Sequence, residues 1–177
     1  MSAQRSPNRW KTSSALNRPL ALLVAAAFFM ENLDATIIAT AAPAIGADLR
    51  VSAVDVNLAM TAYLITIAAG IPISGWLTDR FGGRRVFMTA VAIFTVASLL
   101  CALSVSFPML VGSRVLQGAG GALMVPVGRL VVLRVTAKSD LLDAVAYLTW
   151  PALLAPVIAP AAGGWIITVA SWHWIFL

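Results

Sequence analysis

Three strong charges stand well inside stretches that are otherwise apolar: Glu31 and Asp34 in the first run, and Arg114 in the fourth. A charge in hydrocarbon costs about 2.5–3.5 kcal/mol on insertion scales, so residues of this kind are functional candidates by default. Glu31 and Asp34 are three apart and share one helix face. By helical rise, Asp34 lies roughly 10 Å from the outer end of its run and Arg114 roughly 9 Å from the outer end of its own. Equal depth predicts an Asp34–Arg114 contact, direct or through water, inside a bundle. Gln117 lies one turn from Arg114 on the same face. A carboxylate beside a guanidinium takes up a proton or a substrate cation according to what else fills the cavity, because opposite charge favours the ionised form and desolvation the neutral one. A static brace between two helices uses the same residues, and the sequence leaves both open.

The elements that position these groups are membrane spans. Of the 177 residues, 60% are hydrophobic and 11% charged, with a mean hydropathy of +0.92. Soluble domains carry roughly 25% charged residues. A soluble core of this size cannot hide so much apolar surface, so lipid must be the solvent. Apolar runs at 20–41, 54–77, 86–103, 108–133 and 144–169 each meet or nearly meet the length of about 20 residues that a crossing needs. Residues 1–18 form a polar, basic tail, and 19–177 form the membrane domain. Residues 43–53 make a short outer connection, and 104–107 an outer turn whose Pro108 suits the first turn of the next helix. Residues 137–143 form an inner loop. Ser171, Trp172, His173 and Trp174 form an aromatic girdle at the outer interface. Ile175, Phe176 and Leu177 open a sixth helix. The predicted fold class is an all-α membrane bundle of five transmembrane helices plus the start of a sixth.

A net charge of +5 and a pI near 10.4 invite a nucleic-acid reading, which the placement of the charges excludes. Arg5, Arg9, Lys11 and Arg18 precede the first run. Arg80, Arg84 and Arg85 fall at the second connection, and Arg129, Arg134 and Lys138 at the fourth. Opposite-side connections offer Arg50 alone. This is the positive-inside pattern, which puts the N-terminus in the cytoplasm of a multi-pass plasma (inner) membrane protein. The opening resembles a signal peptide with Ala39, Thr40 and Ala41 at the cleavage point, but Glu31, Asn32 and Asp34 interrupt it. The single cysteine, Cys101, rules out a disulfide within the chain. With one histidine and no zinc or haem motif, no metal, cofactor or enzymatic cluster is expected.

The connection at 75–85 packs one acid, three arginines and three glycines between two spans: Gly75, Trp76, Leu77, Thr78, Asp79, Arg80, Phe81, Gly82, Gly83, Arg84, Arg85. It resembles the signature loop of the major facilitator superfamily, Gly-x-x-x-Asp-Arg-x-Gly followed by basic residues, with Gly83 where the first basic residue usually stands. Gly82 and Gly83 permit the backbone angles of a sharp reversal. Residues 33–43 resemble the first-helix motif of the fourteen-helix drug:proton antiporter branch, Leu-Asp-x-Thr-Ile-Val-Asn-x-Ala-Leu-Pro, with Ala39 and Ala42 as departures. Arg114, Gln117, Gly118 and Gly120 fit the superfamily's fourth-helix motif Arg-x-x-Gln-Gly-x-Gly, whose arginine is associated with proton transfer. Residues 155–164 are similar to the antiporter motif Gly-x-x-x-Gly-Pro-x-x-Gly-Gly, with Ala155 and Ala159 for its leading glycines and Pro160, Gly163 and Gly164 retained. Independently of any family, Ala152, Ala155, Ala159 and Gly163 make one small-residue stripe for close helix contact. Pro151, Pro156 and Pro160 remove backbone donors and favour a bend. Residues 172–176 resemble the family's Trp-Arg-Trp-Ile-Phe, with His173 at the arginine.

The resemblance implies an incomplete N-terminal half of a major facilitator transporter exporting hydrophobic or cationic small molecules at the expense of a proton gradient. Glu31, Asp34, Arg114 and Gln117 would bind substrate or proton. Gly75, Asp79, Arg80, Gly82, Arg84 and Arg85 would form the cytoplasmic gate. Facilitators pair two six-helix halves, so the expected partners are the lipid bilayer, the substrate, and missing C-terminal helices or a second polypeptide. A fragment of the working unit is expected. A truncated non-transporting membrane protein and a metabolite symporter of the same fold are the alternatives.

Overall fold

The computed structural model describes residues 18–177; Arg5, Arg9 and Lys11 of the basic tail lie outside them. Five α-helices follow in order: α1 (Arg18–Leu49), α2 (Ala53–Phe81), α3 (Gly83–Ala102), α4 (Phe107–Val135) and α5 (Leu141–Val169). A 3-10 turn, Lys138–Asp140, precedes α5, and another, Trp172–Phe176, follows it. All five α-helices are long and apolar enough to cross a membrane. Helix α4 touches all the other four, while α5 packs chiefly on α1, and α2 and α3 chiefly on α4.

The helices are longer than the apolar runs alone suggest. Helix α1 continues through Pro43 to Leu49, because a proline inside a helix removes one hydrogen bond without obliging the chain to turn. The stretch expected as an outer connection is therefore mostly helix. It ends in a Schellman motif: Arg50 adopts a left-handed φ of 57°, and the Val51 N–H donates to the Gly46 carbonyl at 2.9 Å. A Cβ on Gly46 would lie 2.9 Å from the Val51 carbonyl oxygen, so this close return needs glycine there. Ser52 then opens α2 with a capping box, its hydroxyl accepting from the Asp55 N–H while the Asp55 carboxylate accepts from the Ser52 N–H.

The basic connection is a break of one residue. Helix α2 runs through Phe81 and α3 starts at Gly83, leaving Gly82 between them with φ 82° and ψ 136°. Gly83, expected to share in the reversal, is helical. Its value is its size, since a Cβ there would fall 2.7 Å from the Val131 Cγ2 of α4.

Helix α5 stays continuous across its three prolines. Ala155, Ala159 and Gly163 are buried, and Pro156 and Pro160 are exposed on another face. A Cβ on Gly163 would come 2.8 Å from the Ile37 Cγ1, so the small-residue stripe is the seam with α1. The expected aromatic girdle divides. Trp174 is exposed, whereas Trp172 is buried and its indole N–H donates to Asp48 Oδ2 at 2.9 Å. Ser98 donates to the Phe176 carbonyl, and His173 Nε2 contacts the Ser104 carbonyl, so this last turn is tied to α1, α3 and the loop after α3.

Candidate functional site

Asp34 and Arg114 meet between α1 and α4. Arg114 Nη1 lies 2.5 Å from Asp34 Oδ2, and Arg114 is fully buried. Gln117, also fully buried, closes a triangle: its Nε2 donates to Asp34 Oδ1 at 3.0 Å and its Oε1 accepts from Arg114 Nη1 at 2.6 Å. The Cys101 thiol reaches the same Oε1 at 3.6 Å. The Arg114 guanidinium carbon sits 4.0 Å from the centroid of Tyr63, and Phe176 lies 6.0 Å away. An arginine over an aromatic face is attracted by the ring quadrupole. Among the described residues, Arg114 Nε and Nη2 and the Tyr63 hydroxyl have no hydrogen-bond partner.

The glycines of α4 let three helices approach this site. A Cβ would fall 2.7 Å from the Tyr63 carbonyl at Gly118, 2.8 Å from the Phe94 nitrogen at Gly120, and 3.3 Å from Glu31 Oε1 at Gly121. One turn of α4 thus meets α2, α3 and the Glu31 carboxylate of α1 in succession.

Glu31 is buried, and its Oε2 has no partner among the described residues. With Asn32, Ile67, Ile71, Gly121 and Arg129 it lines a cavity of about 520 Å³ between α1, α2 and α4, within the usual range for small-molecule sites. Arg129, placed by sequence in a connection, belongs to α4 and to this cavity.

The remaining site candidates lie elsewhere. Asp79 is exposed and 3.8 Å from Arg134 of α4. Arg80 lies over Trp76 and Phe81 at 5.6 and 5.7 Å from their centroids. Arg84 and Arg85 are exposed, and a Cβ on Gly75 or Gly164 would have nothing within 4 Å. Tyr63, Cys101 and Arg129 escaped sequence reasoning as site residues. Their only signal was a polar or ionisable side chain in an apolar span, which for Tyr63 and Cys101 is weak.

Five membrane-length helices around a buried acid–arginine pair define a multi-pass membrane protein, and the family profile of the Major Facilitator Superfamily matches residues 24–177. The chain belongs to that superfamily and to no enzyme class. Over 155 residues it is 46% identical to proteins of Cronobacter sakazakii and Yersinia pestis, each provisionally named multidrug resistance protein MdtD. The match covers 88% of this chain and 33% of each relative, so the chain spans about a third of their length.

Proposed function

We propose that the chain is the N-terminal part of a proton-coupled exporter of hydrophobic or cationic small molecules, seated in the plasma (inner) membrane with its N-terminus in the cytoplasm. Glu31 and Asp34 take substrate cation or proton in turn, while Arg114 and Gln117 tune Asp34. Asp79, Arg80 and Arg84 serve the cytoplasmic gate, with Gly82 as its turn. The proton gradient supplies the energy, and the segment works with further helices against which it rocks. The α5 stripe of Ala155, Ala159 and Gly163 is the smooth face along which α1 and α5 stay in register.

One observation carries this reading: Glu31, whose buried Oε2 has no hydrogen-bond partner among the described residues, is part of the wall of a cavity of small-molecule size. A buried acceptor left unmatched is costly, and a proton or a bound cation relieves that cost. The drug-resistance names of the relatives support the same reading. One observation favours metabolite symport instead: Arg129 lines the same cavity and suits an anionic group.

The test is substrate-driven proton release from inverted vesicles bearing a full-length transporter with this segment. Asp34→Asn is expected to abolish release. Release at the parental rate would remove Asp34 from the mechanism.

A further inference from the structure

Away from the central site, a groove runs between α2, α3 and α4. Its first part, about 390 Å³, is walled by Leu77 and Phe81 of α2, Arg85 of α3 and Leu123 of α4. A second part, about 310 Å³, shares Leu77 and Leu123 and continues along α2 as far as Thr66. Phe81 to Thr66 is about 22 Å of helix. That is the depth of one leaflet, about 15 Å of hydrocarbon plus part of the headgroup layer.

The groove is apolar along its length and basic at one end. Arg85 is part of its wall, and Arg84 beside it is exposed. Arg80 lies over Phe81, another wall residue. Asp79 at this end faces Arg134, and no ion pair among the described residues involves Arg80, Arg84 or Arg85. Exposed Trp76, in contact with Arg80, marks the level of the membrane interface.

We propose that this groove binds one anionic phospholipid. One acyl chain lies along α2 and α4 between Phe81 and Thr66, and the phosphate meets Arg85 and Arg80. Arg85 in the wall and Arg80 beside it, with no carboxylate paired to either among the described residues, select net negative charge over a zwitterionic headgroup, and basic pockets between membrane helices are suited to such headgroups. The shape selects a lipid over a free phosphate, because most of the wall is hydrocarbon.

The purified chain, reconstituted with equal phosphatidylglycerol and phosphatidylcholine and released into mild detergent, is examined by native mass spectrometry. One phosphatidylglycerol per chain should persist, in roughly tenfold excess over phosphatidylcholine. Arg85→Gln should weaken retention about fivefold and Arg80→Gln with Arg85→Gln about 25-fold, at about fivefold per arginine. Thr89 of α3 also lines the first part of the groove, so Thr89→Trp, which fills it without altering charge, should also expel the lipid, whereas Lys138→Gln should leave it in place. Equal retention of the two lipids, undiminished binding by the double arginine variant or by Thr89→Trp, or displacement by glycerol phosphate lacking acyl chains would each overturn the proposal.

Discussion

Replacing Asp34 by alanine should destabilise the bundle far more than the loss of an ordinary hydrogen bond between membrane helices. Arg114 is fully buried, and both of its hydrogen bonds leave from Nη1, one to Asp34 and one to Gln117. Asp34 therefore supplies the counter-charge, and its removal leaves a guanidinium held by an amide oxygen and the Tyr63 ring. Removing one partner of a buried ion pair costs about 3–5 kcal/mol, because the other charge is stranded. A desolvated ring face is worth about 2 kcal/mol or more, but it is already in place before the change and offsets none of the loss. Asp34→Ala should thus lose about 3–5 kcal/mol in reversible denaturation of the chain in mixed micelles. Asp34→Leu combined with Arg114→Met removes both charges at similar volume and should lie within about 2 kcal/mol of the parent. The reasoning fails if the single change costs under about 1 kcal/mol, the scale of interhelical hydrogen bonds in membranes at about 0.6. It fails equally if the paired change is no milder than the single one.

Two further outcomes are expected. Gly120→Ala places a methyl 2.8 Å from the Phe94 nitrogen and 2.9 Å from the Ala90 carbonyl oxygen, backbone atoms that cannot swing aside. It should lower stability by about 1–3 kcal/mol, while Gly112→Ala, with nothing within 4 Å, should be neutral or gain up to about 1 kcal/mol from helix propensity; thermal unfolding of the two variants decides. Trp172→Phe loses the 2.9 Å bond to Asp48, worth about 1.5–3 kcal/mol when the acceptor is charged, and should speed amide exchange across residues 171–177. Exchange at the parental rate would mean that this bond does not hold the last turn.

The fold was legible because crossing a bilayer demands a long apolar run, and the chain supplies five. Helix ends were harder, since Pro43 and the Gly75-to-Arg85 stretch look like breaks while their backbones stay helical up to Leu49 and Phe81. Asp34 and Arg114 were paired by depth, and the contact is present, but the depth of Asp34 was counted from the wrong end point. Helix α1 runs 15 residues beyond Asp34 rather than seven, so its last turns extend past the level of the pair. Arg129 was grouped with the basic residues of the fourth connection although the run at 108–133 already contained it, and α4 carries it into the Glu31 cavity. Tyr63 gave little warning, because a phenol in an apolar run has no periodicity to mark it. Trp172 and Trp174 look alike in sequence, and only packing sends one indole inward to Asp48.

The lone Gly82 between α2 and α3 has a mechanical corollary. Two Cα steps span at most about 7.6 Å, so these helix ends have no slack and neither can slide lengthwise without hauling the other along. Lengthwise motion of α2 is thereby passed directly to α3, at the end where Asp79 faces Arg134. An epitope tag spliced beside Gly82 would uncouple these two ends, whereas α3 and α4 are held together by packing, with Gly120 of α4 close against the Ala90 and Phe94 backbone.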